Sequence, residues 1–303
     1  MSDPGSVPPA LQDAILAWYA SHGRALPFRE TTDPYAILVS EAMAQQTQAE
    51  RAGEAWIRFM AGFPSVAALA AAAPADVLRA WQGLGYNRRA LDLWRAAGRI
   101  VERFGGVVPS GLDDLESLPG VGPYTARAVA ALAFGLPVGA VDTNVRRVLS
   151  RIVAGGTEAV APDDLQRLAD AAVPPDRPGA WTHALMDIGA TLCRPRRPDC
   201  GACPARPWCR YAGSAAVTMA TVRGRGVVRE AAAPFRTTSR WLRGRIVDRL
   251  REAPNEEWVI LDDAIGGHDP AAVEVAARAL AKEGLVELDV SSRAGIRARL
   301  PIS

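Results

Sequence analysis

Residues 193–209 read CRPRRPDCGACPARPWC and hold all four cysteines of the 303-residue chain. The spacing is Cys193-x6-Cys200-x2-Cys203-x5-Cys209. Four thiols in so short a window, in a chain with no secretory pattern, point to a metal site rather than to disulfides. Soft thiolates from one loop suit an iron–sulfur cluster or a structural zinc. Either group would be structural, because four protein thiolates leave no coordination position for a substrate. Arg194, Arg196, Arg197, Arg206 and Arg210 surround the cysteines. They read as a solvated charged loop or as a basic surface against phosphates.

Upstream of this loop the chain is helical. From Leu11 to about Arg210 apolar residues recur at three- and four-residue spacings, and strand alternation is absent. Asp33-Pro34 is a helix start, with Asp as N-cap and Pro in the first turn. Further helices fit 75–82, 88–104, 112–118, 123–134, 143–153, 162–172 and 181–192. After Tyr211 the composition shifts to Gly, Ala and Val as far as Pro234, which reads as a linker. Beyond it, helices near 239–251 and from Asp269-Pro270 to Gly284, an apolar run at 258–261, and short strands at 285–288 and 296–300 indicate a small winged-helix-like module.

Composition narrows the class. Hydrophobic residues make up 49% and charged residues 22%, the balance of an ordinary globular protein. Charges interrupt every apolar stretch, so no membrane span is expected. The first residues, MSDPGSVPPA, carry neither a basic n-region nor an apolar h-region, so the expected location is the cytoplasm. The net charge is only +2, and Lys282 is the one lysine. A lysine Schiff base is therefore closed to the first 281 residues.

Leu118-Pro119-Gly120-Val121-Gly122 falls between two expected helices. Gly120 and Gly122 allow the backbone a close approach to a ligand. The free N–H groups and dipole of the following helix favour an anion there, such as a DNA phosphate. Two carboxylates stand out. Glu41 lies four residues after Ile37 and three after Leu38, on the apolar side of its helix. Burial there would raise its pKa and keep it protonated, as a general acid requires, whereas a lone glutamate in such a helix is more commonly a surface one. Asp142 opens a helix as an N-cap, and the helix dipole would help keep it ionised. Together the pair matches cleavage of an N-glycosidic bond: an acid protonates the departing base, and a carboxylate meets the oxocarbenium-like sugar. The base must first leave the stack.

The cysteine spacing is that of the cluster loop in the endonuclease III superfamily of DNA glycosylases. LPGVG followed by Pro123-Tyr124-Thr125-Ala126 resembles its helix-hairpin-helix. Within that superfamily, Leu26-Pro27-Phe28-Arg29, Asp33-Pro34-Tyr35, Ser40-Glu41-Ala42-Met43-Ala44-Gln45-Gln46-Thr47-Gln48, Gly83-Leu84-Gly85-Tyr86 and Ala184-Leu185-Met186-Asp187-Ile188-Gly189-Ala190 resemble the MutY-type adenine glycosylases, over about residues 11–211. The resemblance implies a mainly α, two-domain helix-hairpin-helix glycosylase with a 4Fe-4S cluster on Cys193, Cys200, Cys203 and Cys209. Its parts would be a disordered 1–10, a cluster domain of 11–27 and 141–211, a helical barrel of 28–140, a linker at 212–234 and an α/β winged-helix-like module at 235–303.

The resemblance also implies roles. Glu41 would protonate adenine N7. Asp142 would stabilise or capture the sugar cation, with Tyr124 and Asn144 holding it. Arg29 and Asp187 would line the adenine pocket. Gln46, Thr47, Leu84 and Tyr86 would fill the stack and touch the base opposite. The arginines of the cysteine loop would face phosphates. Lyases of the superfamily carry a catalytic lysine where this chain has Tyr124, so hydrolysis without strand cutting is expected. The expected partner is double-stranded DNA with a mismatch, adenine facing 8-oxoguanine or guanine, bound by a monomer. A thymine or uracil glycosylase acting at G·T or G·U, and a non-catalytic iron–sulfur DNA-binding protein, are the alternatives. Phe28, Ala44 and Asn87 depart from the family pattern, which has tryptophan, a larger apolar residue and a second tyrosine. Residues 213–303 are too short and too helical for the Nudix-like domain usual in the family, and resemble the short actinobacterial type.

Overall fold

The computed structural model describes residues 7–156, 160–212, 234–291 and 295–302. Except for its first and last residues, the expected linker at 212–234 lies outside the described residues. Two compact units emerge, one from residues 1–41, 109–117 and 121–227, the other from 42–108, 118–120 and 228–303.

The first unit is helical. Helix α1 (Pro9–His22) begins two residues ahead of Leu11, with Pro in its first turn, and Val7 before it is already buried. Helix α2 (Pro34–Ala44) starts where Asp33 accepts the Tyr35 N–H at 3.0 Å. Its residues 35–41 are all buried, as befits a helix apolar nearly all round. Glu41 is thus carried inward by the segment that surrounds it. Helices α7 (Leu112–Glu116) and α8 (Pro123–Ala133) flank the glycine turn. Helices α9 (Thr143–Ala154), α10 (Pro162–Ala171) and α11 (Pro178–Thr191) complete the unit. Leu11, Ile15, Val148, Leu149, Leu165, Trp181, Leu185 and Ile188 fill its core, and Cys193, Cys203, Cys209 and Trp208 pack against it. The cysteine loop therefore closes over a hydrophobic core rather than hanging from it.

The second unit contains α3 (Ala49–Gly62), α4 (Val66–Ala70), α5 (Pro74–Ala80) and α6 (Arg88–Phe104). Helix α6 buries Ala90, Leu91, Leu93, Ala96, Ala97 and Ile100, one stripe at helical spacing, and ends on left-handed Gly105. The C-terminal module belongs to this unit. Helix α12 (Ser239–Glu252) is capped by Thr238, and α13 (Pro270–Lys282) by Asp269, which accepts the Ala272 N–H at 2.8 Å. The two strands expected at the end are β2 (Glu287–Asp289) and β3 (Arg297–Arg299), antiparallel with Leu288 opposite Ala298. The apolar run at 258–261 supplies β1 (Val259–Ile260), which pairs with the other edge of β3 and gives an antiparallel sheet of order β1-β3-β2. A helix, a strand, a helix and two strands make the module winged-helix-like.

The module is fastened to α5 by its own arginine. Arg251, on α12, donates to the Leu78 carbonyl at 2.9 Å and to Asn87 Oδ1 at 2.8 Å. Arg79 answers with a bond to the Ala253 carbonyl at 2.6 Å, and the Ala75 N–H donates to the Pro301 carbonyl at 2.9 Å. Among the described residues no helix is long and apolar enough to cross a membrane.

Candidate active site

Glu41, Tyr124 and Asp142 come together inside the first unit. Glu41 is 9% exposed. Burial, reinforced by the nearby Asp142 charge, pushes its carboxyl up to about 7, although a hydrogen bond from Tyr124 and the charge of Arg29 pull the other way. The Tyr124 hydroxyl is held well above the ordinary phenol range by burial and by the charges of Glu41 and Asp142, so it is a donor at any working pH. Tyr124 is the second residue of α8, directly after the glycine turn.

Asp142 is the N-cap of α9. Its Oδ1 accepts the Val145 N–H at 2.6 Å, and its Oδ2 accepts from Asn144 Nδ2 at 3.0 Å. Both oxygens therefore have donors, in a geometry suited to an ionised carboxylate. Asn144 is fixed in turn: its Oδ1 accepts from Arg147 Nη2 at 2.8 Å. Arg147 also donates to the carbonyls of Gly189 at 2.7 Å and Cys193 at 2.6 Å. This buried guanidinium joins the cysteine loop, α11 and the Asp142–Asn144 pair. Sequence reasoning gave Arg147 no role, since carbonyl acceptors leave no trace in a sequence. Gly189 completes the arrangement. A Cβ on it would lie 2.6 Å from Asn144 Cβ, so only glycine lets α11 approach Asn144 this closely.

Arg29 and Asp187 form a bidentate pair at 2.7 and 2.8 Å. Asp187 is fully buried and also accepts from the Arg24 N–H at 2.9 Å and Arg24 Nε at 2.6 Å. Burial raises its carboxyl, but these four donors outweigh burial and hold it below the usual carboxylate range. Next to it, burial and the Arg29 and Arg24 charges press His183 down to about 3, so its ring is neutral. Arg24 and His183 were not singled out by the sequence.

The four cysteines line one small cavity of about 20 Å³, with Arg151 and Arg206 beside it. Burial first, and then the neighbouring sulfurs, push the Cys203 thiol up to about 11. Thiolates brought together around one small cavity need a cationic centre between them, which suits a bound metal group. Among the described residues no three ligating side chains converge on a single-ion site. The donor set, four thiols around one cavity, fits an iron–sulfur cluster. Arg151 donates to Cys193 Sγ at 3.4 Å and to the Arg194 and Pro195 carbonyls at 2.9 and 3.1 Å, which shapes the loop.

Of the remaining expected residues, Gln46, Thr47, Leu84, Tyr86 and Gly120 lie in the second unit and Gly122 in the first. Gln46 and Tyr86 are exposed, and both adopt left-handed backbone, with φ of 54° and 45°. Such conformations are costly for non-glycine residues and mark constrained loops. Leu84 is buried, unlike its neighbour Tyr86. Arg89 fastens both loops: it donates to the Ala42 carbonyl at 2.8 Å, to Thr47 Oγ1 at 3.4 Å, and to the Leu84 and Gly85 carbonyls at 3.4 Å each. Gly120, at φ 77°, sits so close to Asp92 that a Cβ would lie 2.8 Å from that residue's Cβ. Gly122 caps α8 and faces open space.

These features have counterparts in known proteins. A family model described as HhH-GPD superfamily base excision DNA repair protein matches residues 39–175. The chain is 42% identical over 284 residues to an adenine DNA glycosylase of Mycolicibacterium smegmatis, covering 92% of this chain and 93% of the relative. It is 44% identical over 245 residues to an adenine DNA glycosylase of Mycobacterium tuberculosis, covering 79% and 78%. In structure it is similar to a thermostable thymine-DNA glycosylase, with a TM-score of 0.63 and 31% identity over 67% of this chain and 94% of that one. The chain belongs to the adenine DNA glycosylase family of the HhH-GPD superfamily.

Proposed function

We propose that this protein hydrolyses the N-glycosidic bond of adenine mispaired with 8-oxoguanine or guanine in double-stranded DNA, without cutting the strand. One observation carries the chemistry: a buried carboxyl near 7 hydrogen-bonded to Tyr124, beside an aspartate whose two oxygens both accept N–H donors. The two carboxylates thus sit in different surroundings, Glu41 buried against a phenol and Asp142 on two N–H donors at a helix start.

Glu41, as the acid, gives its proton to N7 of the extruded adenine. The bond from C1′ to N9 then breaks, and its electron pair leaves with the base. Asp142 meets the cationic sugar, held in line by Asn144 and Tyr124. Glu41, now ionised, takes a proton from the attacking water, which leaves an abasic sugar and restores the acid. With no lysine before Lys282, no Schiff base forms at this site and the strand stays intact. Arg29 and Asp187 shape the wall of the base pocket. Gln46, Thr47, Leu84 and Tyr86 meet the duplex, and the backbone at Gly120 and Gly122 takes a phosphate.

Cys193, Cys200, Cys203 and Cys209 would hold a 4Fe-4S cluster. Bound there, it supplies a rigid, fully ligated scaffold for the basic loop that faces phosphates. Arg147 carries that rigidity to Asn144. The protein acts as a monomer in the bacterial cytoplasm, at the nucleoid.

The test is a single assay on duplexes containing A·8-oxoG, A·G, G·T and G·U, incubated with protein and then with hot alkali. Cleavage at adenine alone, and only after alkali, is expected. Cleavage at thymine or uracil instead would establish the pyrimidine reading, and no cleavage of any duplex would establish a binding protein. Strand breaks before alkali, or a borohydride-trapped adduct, would overturn the hydrolytic mechanism.

A further inference from the structure

The C-terminal module does more in this structure than rest on α5. Arg240, in the first turn of α12, places its guanidinium carbon 4.1 Å from the centroid of the Tyr86 ring. Arg89 lies 5.3 Å from the same centroid. Tyr86 is 40% exposed and holds a left-handed φ of 45°. Its neighbour Asn87, where the family pattern has a second tyrosine, accepts a bond from Arg251 of the same helix α12. The module thus holds two consecutive residues of this loop. Both faces border a cleft of about 680 Å³ that also receives Gln46.

The charges around the cleft separate Arg240 from its neighbours. Arg243 is paired with Glu283, Arg245 with Asp248, and Arg88 with Asp92. Among the described residues Arg240 has no carboxylate partner, so the Tyr86 ring is the contact that fixes it. A cation over an aromatic face restrains that ring even at an exposed site. A left-handed, exposed tyrosine needs such outside support to hold one orientation.

We propose that Arg240 is a positioning residue for Tyr86, so that the winged-helix-like module sets how this tyrosine engages duplex DNA. The proposal rests on the reading that the Gln46 and Tyr86 loops meet the duplex. The module then takes part in recognition through the loop it grips, and Asn87 and Arg251 are the second point of that grip.

A double-mutant cycle tests this. Arg240→Ala, Arg240→Lys, Tyr86→Ala and the Arg240→Ala/Tyr86→Ala pair would be compared on a duplex with a stable abasic analogue opposite guanine, by fluorescence anisotropy. Adenine release from A·8-oxoG and A·G would be followed in parallel. Arg240→Ala is expected to weaken binding by about two- to fivefold, with Arg240→Lys recovering part of the loss and the melting temperature unchanged. In the Tyr86→Ala background, removing Arg240 should have no further effect. An equal loss in both backgrounds, accompanied by a salt slope lower by about one, would show that Arg240 grips a phosphate by itself and would overturn the proposal. No loss in either background would overturn it as well. Because the cycle is read in binding, a protein that released no adenine would sink the proposed function while this coupling remained measurable. A wild-type protein that bound no duplex would sink both.

Discussion

The pocket around Glu41 and the loops around Tyr86 are built on opposite principles. In the pocket, Glu41 and Arg147 are buried and Tyr124, Asp142 and Asn144 half-buried, and each is tied to a neighbour: Tyr124 to Glu41, Asn144 to Asp142, and Arg147 to Asn144, Gly189 and Cys193. In the loops, Gln46 and Tyr86 stand exposed on left-handed backbone; Arg89 and Arg240 lie against the Tyr86 ring, and Arg89 also donates to the Ala42 carbonyl and Thr47 Oγ1 on either side of Gln46. The difference suits the proposed tasks. A proton donor and a cation stabiliser work only if geometry and pKa are set before the substrate arrives. A group that must enter a base stack needs access, and it accepts local strain to get it.

The comparison is sharpened by substitutions on each side. The largest effect is expected for Asp142→Asn. Asparagine caps helices as well as aspartate does, so stability should change by less than about 0.5 kcal/mol. Loss of the negative charge should slow adenine release by about 10²- to 10³-fold. Thermal melts and single-turnover rates on one preparation would separate cap from catalyst, and an active variant would refute the catalytic role.

Arg147→Ala comes next. It strips donors from Asn144 and from two buried carbonyls, and should cost about 2–3 kcal/mol in a denaturant melt. With the proposed cluster bound at the cysteines, the rate should fall together with its visible absorbance, because one side chain serves both. A variant that lost activity with its cluster intact and its stability unchanged would break that link.

Arg89→Ala should do the reverse. Duplex affinity should fall by about tenfold, as both loops lose a charged donor worth about 1.5–3 kcal/mol in part-buried surroundings, while the pH dependence of base release stays as in the wild type. A shifted pH profile would mean that the two regions are not separate in function.

The smallest effect concerns acid. His183 is held near 3 in the folded protein, against an ordinary value of 6.5, and Asp187 is held low by its arginines. The unfolded chain therefore binds more protons at both sites, and both contributions shrink as pH falls, that of His183 from about 6.5 downward. His183→Phe should flatten the decline of melting temperature between pH 6.5 and 4. An unchanged decline would show that His183 takes no part in it.

Much of this was legible in the sequence, and what escaped has a common cause. Helix α6 announces itself through Ala90, Leu91, Leu93, Ala97 and Ile100, and the Asp33-Pro34 and Asp269-Pro270 starts both form caps. The pair Glu41 and Asp142 was visible as residue types in a motif, and the buried run 35–41 explains why the first is inside. By contrast β1 has only two residues, too few for any periodicity, and forms because β3 has an open edge. Arg147 and Arg89 bond mainly to backbone carbonyls brought near by folding, and Arg251 makes one such bond, to Leu78. A sequence carries no mark of an acceptor that every residue possesses. Asn87 first reads as a plain departure from the family pattern, and the bond from Arg251 gives it a purpose.

The central claim is that Glu41 works as a protonated acid whose pKa its burial has raised. Single-turnover adenine release from an A·8-oxoG duplex, measured from pH 5 to 9 for the wild type and Glu41→Gln, tests it most directly. The rate should be highest while Glu41 keeps its proton and should fall as pH rises through about 7. The same shift means that burying Glu41 costs stability once pH exceeds the unfolded value near 4.5, so Glu41→Gln should melt higher at pH 8 than the wild type. Its rate should be lower by about 10²- to 10⁴-fold and flat across the range, with duplex binding retained. A Glu41→Gln protein with wild-type rates, or a wild-type rate that climbs through pH 7, would contradict the account.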